Sequence, residues 1–217
     1  MNSTLIATLV VLLLAAAHST ASQPQDAGDS LPTITFTKEF PGSSPEYYSI
    51  TLRRDGQALY RIAPDEKPTV IPISAESTDQ IFALVGKLDY FRGAILESKR
   101  NVAHMGKKTF LFESGEDREE ISYNHTENAD ALALTALFER LSTTQQHRDR
   151  IEYLLRFDRL GIVKELLQLE IDLDQDRLLE PALLLPVLEK VRTNNSLVNV
   201  AHQRAAGIIA KVQTGTR

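Results

Sequence analysis

The sequence predicts an α+β fold: an antiparallel meander of about five strands with two helices on one face, followed by a C-terminal bundle of about four helices. Three observations predict it. Between residues 33 and 123, short runs with apolar side chains at every second position are separated by breaks rich in Gly, Pro and Ser. Two stretches within that region change to helical spacing, one near residues 74–88 and one near 128–141. Beyond Leu141 no alternating run survives, and apolar residues recur at helical spacing to the end of the chain. The resulting organisation is a signal peptide over residues 1–21, a flexible linker over 22–32, an α+β domain over 33–141 and a helical subdomain over 142–213.

Residues 5–17 are an uninterrupted apolar and small-residue run without a charged side chain, and Ser19-Thr20-Ala21 supplies small residues for cleavage after Ala21. The run is too short to span the roughly 30 Å of bilayer hydrocarbon comfortably, and no later segment is longer. The expectation is an exported protein, periplasmic or extracellular, with no stable membrane span after cleavage. The polar stretch that follows has no periodicity and reads as linker.

Residues 33–40 alternate, with Ile34, Phe36 and Phe40 on one side and Thr33, Thr35, Thr37 and Glu39 on the other. Pro41-Gly42-Ser43-Ser44-Pro45 then breaks the strand. The next hairpin has the most closely specified geometry in the chain. A three-residue loop of Arg54, Asp55 and left-handed Gly56 sets Leu52 opposite Ala58, Ile50 opposite Tyr60 and Tyr48 opposite Ile62. All these apolar residues then share one face. A two-residue Asp-Gly turn would pair Ile50 with Arg61 and divide the apolar set, so the register favours the longer loop. Residues 70–73 can add an edge strand, which Pro72 confines to the rim.

Ile81, Leu84, Val85 and Leu88 stand at helical spacing, with Ser77 and Gln80 as a capping box. A second hairpin follows, in which residues 109–112 and 119–123 flank the carboxylate-rich stretch 113–118. Phe110, Phe112, Ile121 and Tyr123 share its inner face. Asn128 caps a helix striped by Leu134, Leu137, Phe138 and Leu141. In the tail, Ile151, Leu154 and Leu155 mark a first helix ending near Leu160-Gly161, and Ile162, Val163, Leu166, Leu167 and Ile171 mark a second. Residues 183–191 make a third, started or kinked by Pro186, and Asn195 or Ser196 caps a fourth with Leu197, Val200, Ala201, Ala205, Ile208, Ile209 and Val212 buried.

The absence of cysteine excludes disulfides, thiolate metal sites and thiol nucleophiles. The 24 basic and 29 acidic residues leave a net charge of −5, without the basic excess of a nucleic-acid binder. Lys99, Arg100, Lys107 and Lys108 read as solvated charges beside a strand. Gly28-Asp29-Ser30-Leu31 spells the short motif of the GDSL hydrolases, but it lies in polar linker, is followed by Pro32, and lacks a late Asp-x-x-His to supply the base.

Asp172, Asp174 and Asp176 alternate as in a calcium loop, with Glu180 as a further oxygen. The sixth position is Arg177 in place of glycine and the twelfth is Leu183 in place of glutamate, so an acidic turn explains the same letters. His104, His125, His147 and His202 stand singly, without metal-ligand spacing, and read as surface or turn residues. The cluster Glu113, Glu116, Asp117, Glu119 and Glu120 could furnish acid and base groups only in a cleft that separates their pKa values. No catalytic, cofactor or metal residue is therefore assigned.

The run Gly42-Ser43-Ser44-Pro45-Glu46-Tyr47, the strand after it, Asp55-Gly56 and Tyr60 resemble a family of exported bacterial domains of unknown function. In that family a Gly-x-Cys-Pro-x-Tyr segment precedes an Asp-Gly turn and a tyrosine. Here Ser44 replaces the cysteine and the strand is one residue longer. The resemblance extends over residues 33–123 by order of elements, and it implies a fold without implying an activity. The tail, including Arg156-Phe157-Asp158-Arg159-Leu160-Gly161, is similar to tails of uncharacterised exported bacterial proteins, a likeness that implies no function.

Two functions are expected from these observations. The first is a non-catalytic binding or protein-interaction module whose partner is another protein. The alternative is a carboxylate-dependent hydrolase or carbohydrate-active enzyme of the cell envelope, using groups among Glu113, Glu116, Asp117 and Glu119. The lack of catalytic spacing favours the module.

Overall fold

A computed structural model describes residues 31–215. The predicted signal, nearly all of the predicted linker and the Gly28-Asp29-Ser30 part of the hydrolase-like motif lie outside the described residues. Six strands, β1 (Thr33–Glu39), β2 (Tyr47–Arg53), β3 (Gln57–Arg61), β4 (Thr69–Pro72), β5 (Lys107–Ser114) and β6 (Asp117–Tyr123), form one antiparallel sheet in the order β4-β3-β2-β1-β5-β6. Five helices accompany it: α1 (Ala75–Lys87), α2 (Ala129–Phe157), α3 (Ile162–Asp174), α4 (Leu185–Thr193) and α5 (Asn199–Gly215).

The β2–β3 register places Ile50 opposite Tyr60 and Leu52 opposite Ala58, with Gly56 at φ +84°. The ladder stops at Arg61, however, and Ile62 is 45% exposed instead of completing the buried row with Tyr48. The second hairpin is tighter than expected. Ser114 pairs with Asp117 across a two-residue turn, so both strands extend into the stretch anticipated as loop.

One sheet face carries Ile34, Phe36, Tyr48, Ile50, Leu52, Phe110, Phe112 and Tyr123 into a core closed by α1 and the first half of α2. Phe138 of α2 stacks on Phe36 with ring centroids 5.2 Å apart. The opposite face is largely polar, and paired hydroxyls bridge its strands: Thr35 with Thr51 at 2.9 Å and Thr109 with Ser122 at 2.8 Å. Helix α1 begins earlier than expected, because Ser74 is its cap: its hydroxyl accepts from the Ser77 amide at 3.2 Å. Asn128 caps α2 as anticipated, accepting from the Ala131 amide at 3.0 Å. Helix α5 begins at Asn199, beyond the expected caps at Asn195 and Ser196.

The largest departure is α2 itself. Its 29 residues run without a break across Leu141 and serve two cores. Ile151 and Leu154 at its far end pack with α3, α4 and α5, including Leu166, Leu188, Ala201 and Ile208. Between the cores lies a buried polar seam of Ser142, Thr144, Gln145 and His147. Thr144 donates to the Leu179 carbonyl at 2.7 Å, Leu179 enters the first core, and Glu180 accepts from the Ser74 hydroxyl at 2.5 Å. The returning chain is thereby stitched to α1 and α2.

Gly56 offers a direct test of the hairpin. A Cβ there would stand 2.7 Å from the Ile73 carbonyl oxygen, which the β4 end cannot vacate without losing the Ile73 amide bond to Gly56. With the left-handed φ added, Gly56→Ala is expected to destabilise the fold by about 2 kcal/mol or more, read from chemical denaturation.

Candidate functional site

Two cavities concentrate chemistry. The first, of about 660 Å³, opens where the β2–β3 turn, α1, the connection after α1 and the β5–β6 turn meet at one end of the sheet. Its walls include Arg54, Phe82, Tyr90, Arg92 and Phe112. The guanidinium of Arg54 lies over the Phe82 ring at 5.1 Å, and that of Arg92 over the Tyr90 ring at 5.5 Å. Tyr90 also meets Phe112, with centroids 4.9 Å apart.

Tyr90 is held by unusual backbone. Asp89, Tyr90 and Phe91 take φ values of 49°, 55° and 69°, three successive left-handed residues without a glycine among them. Each such residue costs roughly 1–3 kcal/mol, which surrounding contacts must offset. Phe91 supplies them: it is 3% exposed and stacks on Phe110 at 5.3 Å. The next residue of the same turn, Arg92, then faces the cavity.

Each arginine is held by one carboxylate. Arg54 Nη1 donates to Asp79 at 2.6 Å, and Arg92 Nη2 donates to Asp117 at 2.8 Å. The two aspartate side chains are 67% and 60% exposed, so these are solvent-screened pairs worth about 0–1 kcal/mol each. Stacking occupies the face of a guanidinium and leaves its edge N–H donors available. The site can therefore accept an anionic group at either arginine, exchanging a weak surface pair for a ligand contact against an aromatic wall.

The second cavity, of about 480 Å³, lies beside the polar seam and includes Tyr60, Gln146, His147, Asp149, Glu165 and Asp172 among its walls. His147, expected at the surface, is only 6% exposed and is held between two carboxylates. Its Nδ1 lies 2.7 Å from Glu165 and its Nε2 3.0 Å from Asp172, an arrangement that favours the doubly protonated ring, in which both nitrogens donate. Burial opposes that charge, but the bonds to Glu165 and Asp172 outweigh it and raise the pKa above the usual 6.5. Asp172 responds in the opposite sense: burial raises it, while bonds from Gln168, His147 and Arg177 bring it below the ordinary value. Asp149 is pushed up by burial, and burial drives the Tyr60 phenol up to about 12.

The remaining sequence candidates are dispersed. Glu113 accepts from Arg118 at 3.3 Å, Arg118 also reaches Glu120 at 3.5 Å, and Glu116 is exposed at the turn. Glu119 lies on β6, while Asp117 alone of this cluster lines the first cavity, as the partner of Arg92. No cleft gathers these carboxylates into an acid and base pair. Asp172, Asp174 and Asp176 also diverge: Asp172 faces His147, Asp174 takes Lys211 at 2.8 Å and Asp176 takes Arg140 at 2.5 Å. Among the described residues no group of three or more such side chains is arranged to hold a metal ion.

Because the pKa of His147 is raised on folding, its contribution is full below the unfolded value near 6.5 and is lost as pH rises through the folded value. Denaturation midpoints are expected to fall across that rise in the wild type. In His147→Gln the same window should be flat.

No family model matches the chain, and no curated protein or solved structure matches it.

Proposed function

We propose that the chain is an exported, non-catalytic binding module, and that it takes a segment of another protein in the groove lined by Arg54, Phe82, Tyr90, Arg92 and Phe112. The observation that carries this reading is the pair of guanidinium groups seated on aromatic rings beside the strained turn that presents Tyr90. Arginine and tyrosine are, with tryptophan, the residues enriched among those that carry binding energy at protein interfaces, because they combine large contact area with directed donors. The segment that suits the groove carries a carboxylate beside an aromatic or apolar side chain. Its acid replaces Asp79 or Asp117 on an arginine, and its apolar group packs on Phe82 or Tyr90.

A peptide array of acidic and neutral sequences tests this. Acidic-aromatic peptides are expected to be enriched, with affinity falling about tenfold or more in Arg54→Ala/Arg92→Ala, since a charge-assisted bond contributes about 1.5–3 kcal/mol. Equal retention of acidic and neutral peptides, or binding that survives the double substitution, would overturn the proposal.

A second reading rests on the other cavity, where His147, Asp149, Glu165 and Asp172 converge. It is the only arrangement among the described residues that resembles the carboxylate chemistry of an envelope hydrolase. It is disfavoured because both nitrogens of His147 are engaged by carboxylates, leaving no lone pair to accept a proton. Turnover in a broad glycoside and ester panel that disappears in Asp149→Asn and Glu165→Gln would establish this reading in place of the first.

A further inference from the structure

The corner between α2 and α3 carries apolar side chains that line neither cavity, although Arg150 beside them also borders the second. Tyr153, Phe157 and Leu160 are 50%, 71% and 90% exposed. Tyr153 and Phe157 occupy successive turns at the end of α2, with ring centroids 5.1 Å apart, and Leu160 follows in the short turn before α3. Asp158 fixes that turn, its carboxylate accepting from the Gly161 amide at 3.3 Å. These apolar side chains are thus held outward on an ordered corner.

The charges around them are unequal in a specific way. Three of the nearby acids are ion-paired, Asp149 with Arg148 at 3.1 Å, Glu152 with Lys190 at 3.3 Å and Glu165 with His147, while Asp158 accepts only from the neutral Gly161 amide and keeps its charge. The cations nearest the rings have no ion pair. Arg150 lies over the Tyr153 ring at 5.4 Å without a carboxylate partner, and Arg156, Arg159 and Lys164 are exposed and form no ion pair among the described residues. The corner therefore presents two rings and a leucine beside four unpaired cations and one unpaired carboxylate, a net excess of positive charge.

We infer that this corner docks on an anionic lipid surface, with Phe157 and Leu160 entering the headgroup boundary and Arg150, Arg156, Arg159 and Lys164 pairing with lipid phosphates. Aromatic and aliphatic side chains flanked by arginine and lysine are the combination that settles at such an interface, the rings at headgroup level and the cations reaching anionic lipid. No helix of the described residues is long and apolar enough to cross a membrane. The contact proposed is a peripheral one, made by a few side chains at the headgroup boundary. It leaves the arginine-aromatic groove, which belongs to the other core, free for its own ligand.

The chain has no tryptophan, so Leu160→Trp places a single reporter at the tip. Protein beginning at Ser22, which keeps all of both cores and omits the apolar run at residues 5–17, is mixed with vesicles of phosphatidylcholine containing about 30% phosphatidylglycerol. A blue shift and quenching by brominated acyl chains are expected, absent with pure phosphatidylcholine and lost as salt rises from about 0.1 to about 1 M. Phe157→Ser should lower vesicle binding about tenfold, the effect of removing one large apolar side chain from the contact. Its thermal melt should match the wild type, because Phe157 is exposed. Indole fluorescence of Leu160→Trp that stays unshifted and unquenched in the presence of anionic vesicles overturns the inference, as does equal binding by Arg156→Glu/Arg159→Glu. Capture of an acidic protein at this corner without vesicle binding also overturns it.

Discussion

One uninterrupted helix holds this molecule together. Helix α2 is roughly 43 Å long at 1.5 Å per residue, and it offers its first half to the sheet and its second half to the helical tail. A helix shared in this way couples the two cores mechanically, because neither can turn about α2 without disturbing the i to i+4 bonds that both rely on. The polar seam at Ser142, Thr144, Gln145 and His147 falls where the two apolar stripes change over. There Thr144 donates to the returning chain at Leu179 and His147 bonds to Asp172 of α3, while both amide atoms of Gln145 are buried without a hydrogen-bond partner. Burying the His147 cation is tolerable only because it is paired on both sides, and the same pairing fixes the rotation of α3 relative to α2.

Local pattern makes the hairpins and helices readable. The positions of Leu52 and Ala58 follow from alternation, and the left-handed glycine follows from the loop length that alternation requires. The change of core does fall just after Leu141, but the helix does not break there, for a physical reason. Residues 142–147 are polar by composition, and polarity in a sequence looks the same whether a helix ends there or is buried among hydrogen-bond partners. Ile62 misleads similarly: its apolar side chain continues the pattern, but the strand ends one residue earlier at Arg61.

The site residues are less legible than the fold. His147 meets partners 18 and 25 residues away on another helix, a distance over which spacing rules carry no information. The arginine groove is assembled from a hairpin turn, a helix, an irregular turn and the start of another strand, and no motif within any one of them announces it. Of its walls only Asp117 stands out in the sequence, and for a different chemistry. The carboxylates that look most reactive by density sit at a solvated turn. A histidine that looks solitary is held between two carboxylates.

The left-handed run at Asp89–Phe91 has a mechanical corollary. Phe91 is locked against Phe110 inside the first core, while its neighbour Tyr90 forms part of the groove wall. The backbone between them cannot relax toward ordinary angles unless Phe91 withdraws from that core. A molecule seated against Tyr90 therefore meets a wall as stiff as the whole sheet layer. In the proposed binding role the groove would act as a preformed socket, sparing the ordering entropy that a yielding loop would surrender on contact.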